Sequence, residues 1–114
     1  MNVHSDCVLD QSSGPRRLLQ VIGNKWALLI VYALEPGMLR FNALERALPG
    51  ISQKMLAQSL KRLEAAGLVD RHAFAEVPPH VEYRLTPLGH SLAPVTIAIC
   101  DWASDYAHLL GDAP

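Results

Sequence analysis

Apolar side chains recur at helical spacing along most of this chain and at strand spacing in one stretch. The clearest helical stretch lies between Pro49-Gly50 and Gly67. There Leu56, Leu60 and Leu63 share one face, flanked by Met55 and Ser59. Lys54, Gln58 and Lys61 share the opposite face, with Arg62 beside them. Ser52 is placed to cap the start of this helix and Gly67 to end it.

Upstream, Ser12-Ser13-Gly14-Pro15 offers a cap and a helix-start proline, which predicts a short first helix over 16–22, ended by Gly23. Asn24 is placed to cap a second helix from Lys25 to Leu34, with Trp26, Leu29, Ile30 and Ala33 as its core stripe. Pro36-Gly37 stops it, and Met38-Leu39-Arg40 leaves room for a very short strand. Asn42 with Glu45 three residues on has the form of a capping box, opening a third helix that ends at Leu48. Helix, Pro-Gly turn, helix is the layout of a helix-turn-helix over residues 42–66.

Downstream, residues 68–76 and 80–85 read as two strands. In the second, Val81, Tyr83 and Leu85 alternate with Glu82 and Arg84. Val77-Pro78-Pro79 joins them as a stiff, polyproline-like tip. A hairpin directly behind such a helix is a wing. Thr86-Pro87 then caps and starts the last helix, which runs to about Gly111. Along it Leu88, Leu92, Val95, Ile99, Trp102, Tyr106 and Leu109 make a heptad seam, and Pro94 is expected to bend it near the middle. The seam is long for so small a domain, so a homodimer is expected through Leu92, Val95, Ile99, Trp102 and Tyr106, with the first helix assisting. Packing of the seam within its own domain is the alternative.

A length of 114 residues allows one domain. Residues 1–12 are expected to form a flexible arm. Residues 13–114 are expected to form a mostly α domain with a small β-hairpin (α+β): a winged helix-turn-helix with N- and C-terminal dimerisation helices, its wing at 68–86 and its dimerisation helix at 87–110. An apolar fraction of 50% with 18% charged residues excludes a disordered chain. The net charge of −1 gives no overall basic bias, but the distribution is uneven. Residues 40–84 carry seven basic and five acidic side chains, whereas residues 85–114 carry three Asp and no Lys or Arg.

The first residues lack the basic and then apolar pattern of a signal peptide, and the apolar run Trp26–Leu34 is about half a membrane span. Two distant cysteines fit free thiols in a reducing cytoplasm. The cysteines and the five histidines show no metal-ligand spacing, and no motif implies a cofactor. No nucleophile elbow, phosphate loop or converging polar set points to an enzyme.

The chemistry that remains is that of the central helix. From Ser52 to Leu63 it carries three basic side chains, two glutamines and no acid. Gln pairs bidentately with adenine, and Lys or Arg meets guanine or phosphate. Ser52, Gln53, Lys54, Gln58 and Lys61 are therefore candidates for reading double-stranded DNA, with Arg62 and the wing residues Arg71 and His80 as candidate phosphate or minor-groove contacts. An ordinary solvated helix face is the alternative for the first set, and solvated strand residues for the wing pair.

The chain resembles the HxlR-type winged helix-turn-helix regulators, relatives of the MarR group, from about residue 15 to residue 102. The resemblance is carried by residues 22–26 (Ile-Gly-Asn-Lys-Trp), Arg40-Phe41, residues 48–56 (Leu-Pro-Gly-Ile-Ser-Gln-Lys-Met-Leu), residues 60–64 (Leu-Lys-Arg-Leu-Glu) and residues 66–69 (Ala-Gly-Leu-Val). It continues through Arg71, residues 76–79 (Glu-Val-Pro-Pro) and residues 81–89 (Val-Glu-Tyr-Arg-Leu-Thr-Pro-Leu-Gly). It implies a dimeric bacterial transcription regulator on a pseudo-palindromic operator and, in some members, an N-terminal thiol that senses electrophiles or oxidants. Asn24 stands where the family often has Gly or an acid. Ala57 and Ser59 stand where Thr and Arg are common, which removes two expected DNA contacts. The family's sensor thiol falls at Ser12 or Ser13 here. Cys7 lies further upstream, so a redox pairing of Cys7 with Cys100 departs from that pattern. The resemblance names no small-molecule effector. The competing reading is a winged-helix protein-interaction module that has lost DNA binding and tolerates neutralisation of Lys54 and Lys61.

Overall fold

In the computed structural model, residues 9–10 and 12–111 are described. Cys7 and nearly all of the expected arm lie outside them. The end of the arm that is described is tied to the first helix. Ser12 Oγ donates to Asp10 Oδ2 at 3.2 Å, and Arg16 Nη1 donates to the Leu9 carbonyl at 3.3 Å.

Helix α1 spans Gly14–Val21, with Ser13 Oγ accepting from the Arg16 N–H and Pro15 in its first turn. None of its residues is buried. Helix α2 spans Ala27–Leu34, two residues later than the sequence predicts. Trp26 rather than the expected Asn24 holds the N-cap position, without a side-chain cap bond, while Asn24 Oδ1 accepts from the N–H groups of Trp26 and Ala27 at 2.9 Å each. The buried stripe is Ala27, Ile30, Val31 and Leu34, each one position later than the expected Trp26, Leu29, Ile30 and Ala33. In a helix this apolar all round, periodicity selects no face.

Strand β1 is Leu39–Arg40, and helix α3 is Phe41–Ala47. The expected capping box is not formed: Arg40 occupies the N-cap position without a side-chain bond, and Asn42 lies inside the first turn. Helix α4 spans Gln53–Ala65, with Ser52 Oγ accepting from the Met55 N–H at 3.0 Å. Gly67 ends it at φ 82°, a left-handed conformation that a side chain disfavours.

Strands β2 (Val69–Phe74) and β3 (His80–Leu85) form the hairpin, and β1 joins the free side of β3, giving the antiparallel order β1-β3-β2. The tip between β2 and β3 is bent rather than extended and includes a cis Val77–Pro78 bond. Opposed residues share a face of the sheet. The inner face carries Val69, Leu85, Arg71, Tyr83, Leu39, Ala73 and Val81. The outer face carries Asp70, Arg84, His72, Glu82, Arg40, Phe74 and His80.

Helix α5 spans Pro87–Tyr106 and continues as a 3-10 turn over Ala107–Leu109. Its buried residues are small ones, Gly89, Ala93 and Thr96, spaced four and three apart. A Cβ on Gly89 would overlap the Leu68 carbonyl oxygen, so this position admits no side chain. The core is one cluster drawn from α2, α3, α4, the sheet and Ala93 of α5. Among the described residues, no helix is long and apolar enough to cross a membrane.

Candidate nucleic-acid interface

Helix α4 divides cleanly. Leu56, Ser59, Leu60 and Leu63 are buried against the core, while Ser52, Gln53, Lys54, Ala57, Gln58, Lys61 and Arg62 are exposed. Ser59 is 1% exposed, which corrects one expectation: a residue here faces the core, so its small side chain removes no DNA contact. Its hydroxyl oxygen has no hydrogen-bond partner among the described residues.

Arg71 projects from the inner face of β2, opposite Tyr83 in the register. Because β2 is the edge strand next to α4, this puts Arg71 against the helix. A hollow between the two is lined by Lys54, Ala57, Gln58, Leu60, Lys61, Glu64, Arg71 and Tyr83. Three cations and a carboxamide thus share one concave surface with a single carboxylate. Among the described residues, no carboxylate lies within ion-pair distance of Lys54, Lys61, Arg62 or Arg71. Gln53 and Ser52 extend the surface at the helix N-terminus, and Arg62 lies outside the hollow. The Ser52 oxygen is engaged as an acceptor in the cap, which leaves its own O–H free to donate.

His80 is placed differently. Its side chain is 14% exposed, with Nδ1 3.2 Å from Glu76 Oε1 and Nε2 3.2 Å from Glu82 Oε2. The ring stacks on Phe74 at 4.7 Å, and Phe74 meets His72 at 5.7 Å. Here His80 ties the wing tip together instead of projecting from it.

The fold also assembles a group that periodicity does not predict. Arg40, Asn42 and Arg46 line an open groove with Pro78, Pro79, His80 and Val81 of the wing. The Asn42–Glu45 pattern reads as a cap in the sequence, and nothing local brings α3 to the wing tip.

The second surface is the seam of α5. Val95 (53%), Ile99 (47%), Trp102 (56%) and Tyr106 (45%) are exposed in the single chain, and the rings of Trp102 and Tyr106 lie 5.2 Å apart. Leu92 is half-buried and packs on its own core. Cys100 is half-buried and continues the small-residue face of Gly89, Ala93 and Thr96 rather than the outward seam. Among the described residues, no group of His, Cys, Asp or Glu is placed to hold a metal ion.

Residues 21–110 match the family model described as HxlR-like helix-turn-helix. An uncharacterised HTH-type transcriptional regulator of Bacillus subtilis (strain 168), YkvN, is 49% identical over 88 residues, covering 77% of this chain and 75% of that protein. A solved structure described as a MarR-family transcriptional regulator of Porphyromonas gingivalis W83 superposes with a TM-score of 0.78 at 40% identity. The match covers 83% of this chain and 93% of that one. The structure of the redox regulator HypR in its reduced form superposes with a TM-score of 0.78 at 38% identity, covering 85% and 96%.

Proposed function

Since the chain belongs to the HxlR-like helix-turn-helix family and is a transcriptional regulator of that type rather than an enzyme, we propose that it binds duplex DNA sequence-specifically, as a homodimer on a pseudo-palindromic operator in the cytoplasm. Helix α4 enters the major groove. Gln53, Lys54, Gln58 and Lys61 read base edges, Ser52 and Arg62 contact the backbone, and Arg71 meets phosphate from the wing. His80 supports the wing and reaches DNA only at its flank.

The observation that carries this reading is the hollow between α4 and β2. It gathers Lys54, Lys61 and Arg71 around Gln58, and among the described residues no carboxylate lies within ion-pair distance of the three cations. Cations left unpaired on a concave surface favour a polyanion, because binding releases its counterions. The exposed seam of α5 supports the dimer, for its large apolar side chains sit on one stripe. A two-fold axis there would set two α4 helices about 34 Å apart, one turn of DNA.

Selection of bound duplexes from random DNA tests the proposal. Enriched sequences should contain an inverted repeat, and their affinity should fall steeply with salt. Failure to enrich any sequence, together with salt-independent weak binding, would instead favour a protein-interaction module.

A further inference from the structure

The hollow beside α4 is not the only basic concavity. The groove between α3 and the wing tip has a volume of about 640 Å³ and is lined by Arg40, Asn42 and Arg46 on one side and by Pro78–Val81 on the other. Both arginines and Asn42 are exposed, and among the described residues neither arginine has a carboxylate within ion-pair distance. Among the described residues, no acidic one lines the groove. The carboxylates of Glu76 and Glu82 are instead each 3.2 Å from the His80 ring.

The groove and the hollow are linked by one strand. Tyr83 of β3 lines the hollow, while His80 and Val81 of the same strand line the groove. Two residues of extended strand span about 7 Å, close to two base-pair steps of rise along one DNA strand. A sugar-phosphate backbone that leaves the hollow and turns around the edge of the hairpin along β3 would reach the groove within a few nucleotides. Each guanidinium offers a planar fork suited to a phosphodiester, and Asn42 offers a neutral donor between them.

We infer that the α3–wing groove is a second backbone clamp, in which Arg40 and Arg46 hold phosphates flanking the bases read by α4. The inference rests on the DNA-binding reading above. Its effect is on affinity and register, not on sequence preference, because phosphate contacts carry no base information.

The test uses the full chain and two duplexes, one recovered by selection and one scrambled. Arg40→Gln and Arg46→Gln should each weaken both duplexes by the same factor, about tenfold. Each should flatten the dependence of log affinity on log salt by about one unit. Arg40→Lys and Arg46→Lys should keep that slope, since the charge remains. Hydroxyl-radical footprints should lose protection only at the flanks in the Gln variants. Thermal melting checks that the fold is intact. If wild type binds with a steep salt slope and both Gln variants match it, the clamp is wrong while the α4 reading stands. A change in preferred sequence would also overturn it, assigning the arginines to base contact. If wild type binds no duplex, the underlying reading fails, and that outcome is separate from the first two.

Discussion

The Thr86 hydroxyl donates to the Gly67 carbonyl at 2.6 Å, and the same oxygen accepts from the Gly89 N–H at 3.0 Å. The Thr86 N–H donates in turn to the Leu68 carbonyl at 3.1 Å. One residue thus caps α5 and binds the turn that ends α4, so the helix proposed to read DNA and the helix proposed to dimerise are joined through a three-bond node. Gly89 completes it by letting α5 approach the Leu68 carbonyl without a side chain in between. Gly89→Ala should therefore destabilise the fold by about 1–3 kcal/mol, the usual cost of forcing atoms into filled space. Gly111→Ala, with open space around it, should shift stability by no more than about 0.5 kcal/mol. Thermal or urea melts of the two variants decide the matter, and equal melting would show that the node gives way easily.

Ser59 supplies a prediction of opposite sign. Its hydroxyl is buried in α4 with no partner among the described residues. Removing an unsatisfied buried polar group recovers desolvation energy, so Ser59→Ala should be neutral or stabilise by up to about 1 kcal/mol. DNA affinity should not change, since the side chain faces the core. A loss of stability would mean that the hydroxyl is satisfied in solution.

Helix α4 and the wing should respond differently to truncation. Gln58→Ala is expected to cost about 1–3 kcal/mol of operator affinity and to relax the preference at one base pair. Arg71→Ala should weaken every sequence alike and lower the salt slope by about one unit. Titration of selected and scrambled duplexes at several salt concentrations separates the two patterns. Unchanged affinity in both variants would place the DNA elsewhere.

For assembly, Trp102 is the residue to change. It is large, 56% exposed and central in the stripe of α5. Trp102→Asp should give monomers or insoluble protein, with operator binding lost. Sedimentation of the wild type at micromolar concentration provides the control, and a wild-type monomer would remove the dimer from the proposal.

Thiol chemistry is expected to be silent. Cys7 lies outside the described residues, and Cys100 is half-buried on the face of α5 turned away from the exposed seam. Diamide treatment should leave operator binding unchanged in wild type and in Cys7→Ser alike. A crosslinked dimer on non-reducing gels, dependent on Cys7 and unable to bind DNA, would reverse this and bring the protein functionally nearer to its redox-regulating structural relative.

The sequence was most legible where one physical signal acted alone. Ser52 and Gly67 bracket α4 because a cap hydroxyl and a left-handed glycine leave few alternatives. Thr86 and Pro87 likewise start α5 where expected. Legibility failed where signals competed. In α2 nearly every residue is apolar, so the buried face is set by what packs on it, and Leu29 is 39% exposed. The Asn42–Glu45 spacing matches a capping box, but β1 pairs with β3 right up to Arg40, which takes the N-cap position two residues earlier. On α5 the large seam residues carry the hydropathy signal, while the fully buried positions are the small Gly89, Ala93 and Thr96, with Leu92 the seam residue that packs on its own core. The α3–wing groove was not legible at all, because it joins residues more than 30 positions apart.

The exposed apolar face of α5 also shapes how such a regulator responds to its own abundance. If operator binding requires two copies, then below the dimer dissociation constant the active species grows with the square of the chain concentration. Occupancy then rises more steeply than for a protein that binds alone. A modest drop in synthesis, or a rise in proteolysis of the lone subunit, would empty the operator disproportionately. Trp102 and its neighbours would thus set a threshold for gene control as well as hold two chains together.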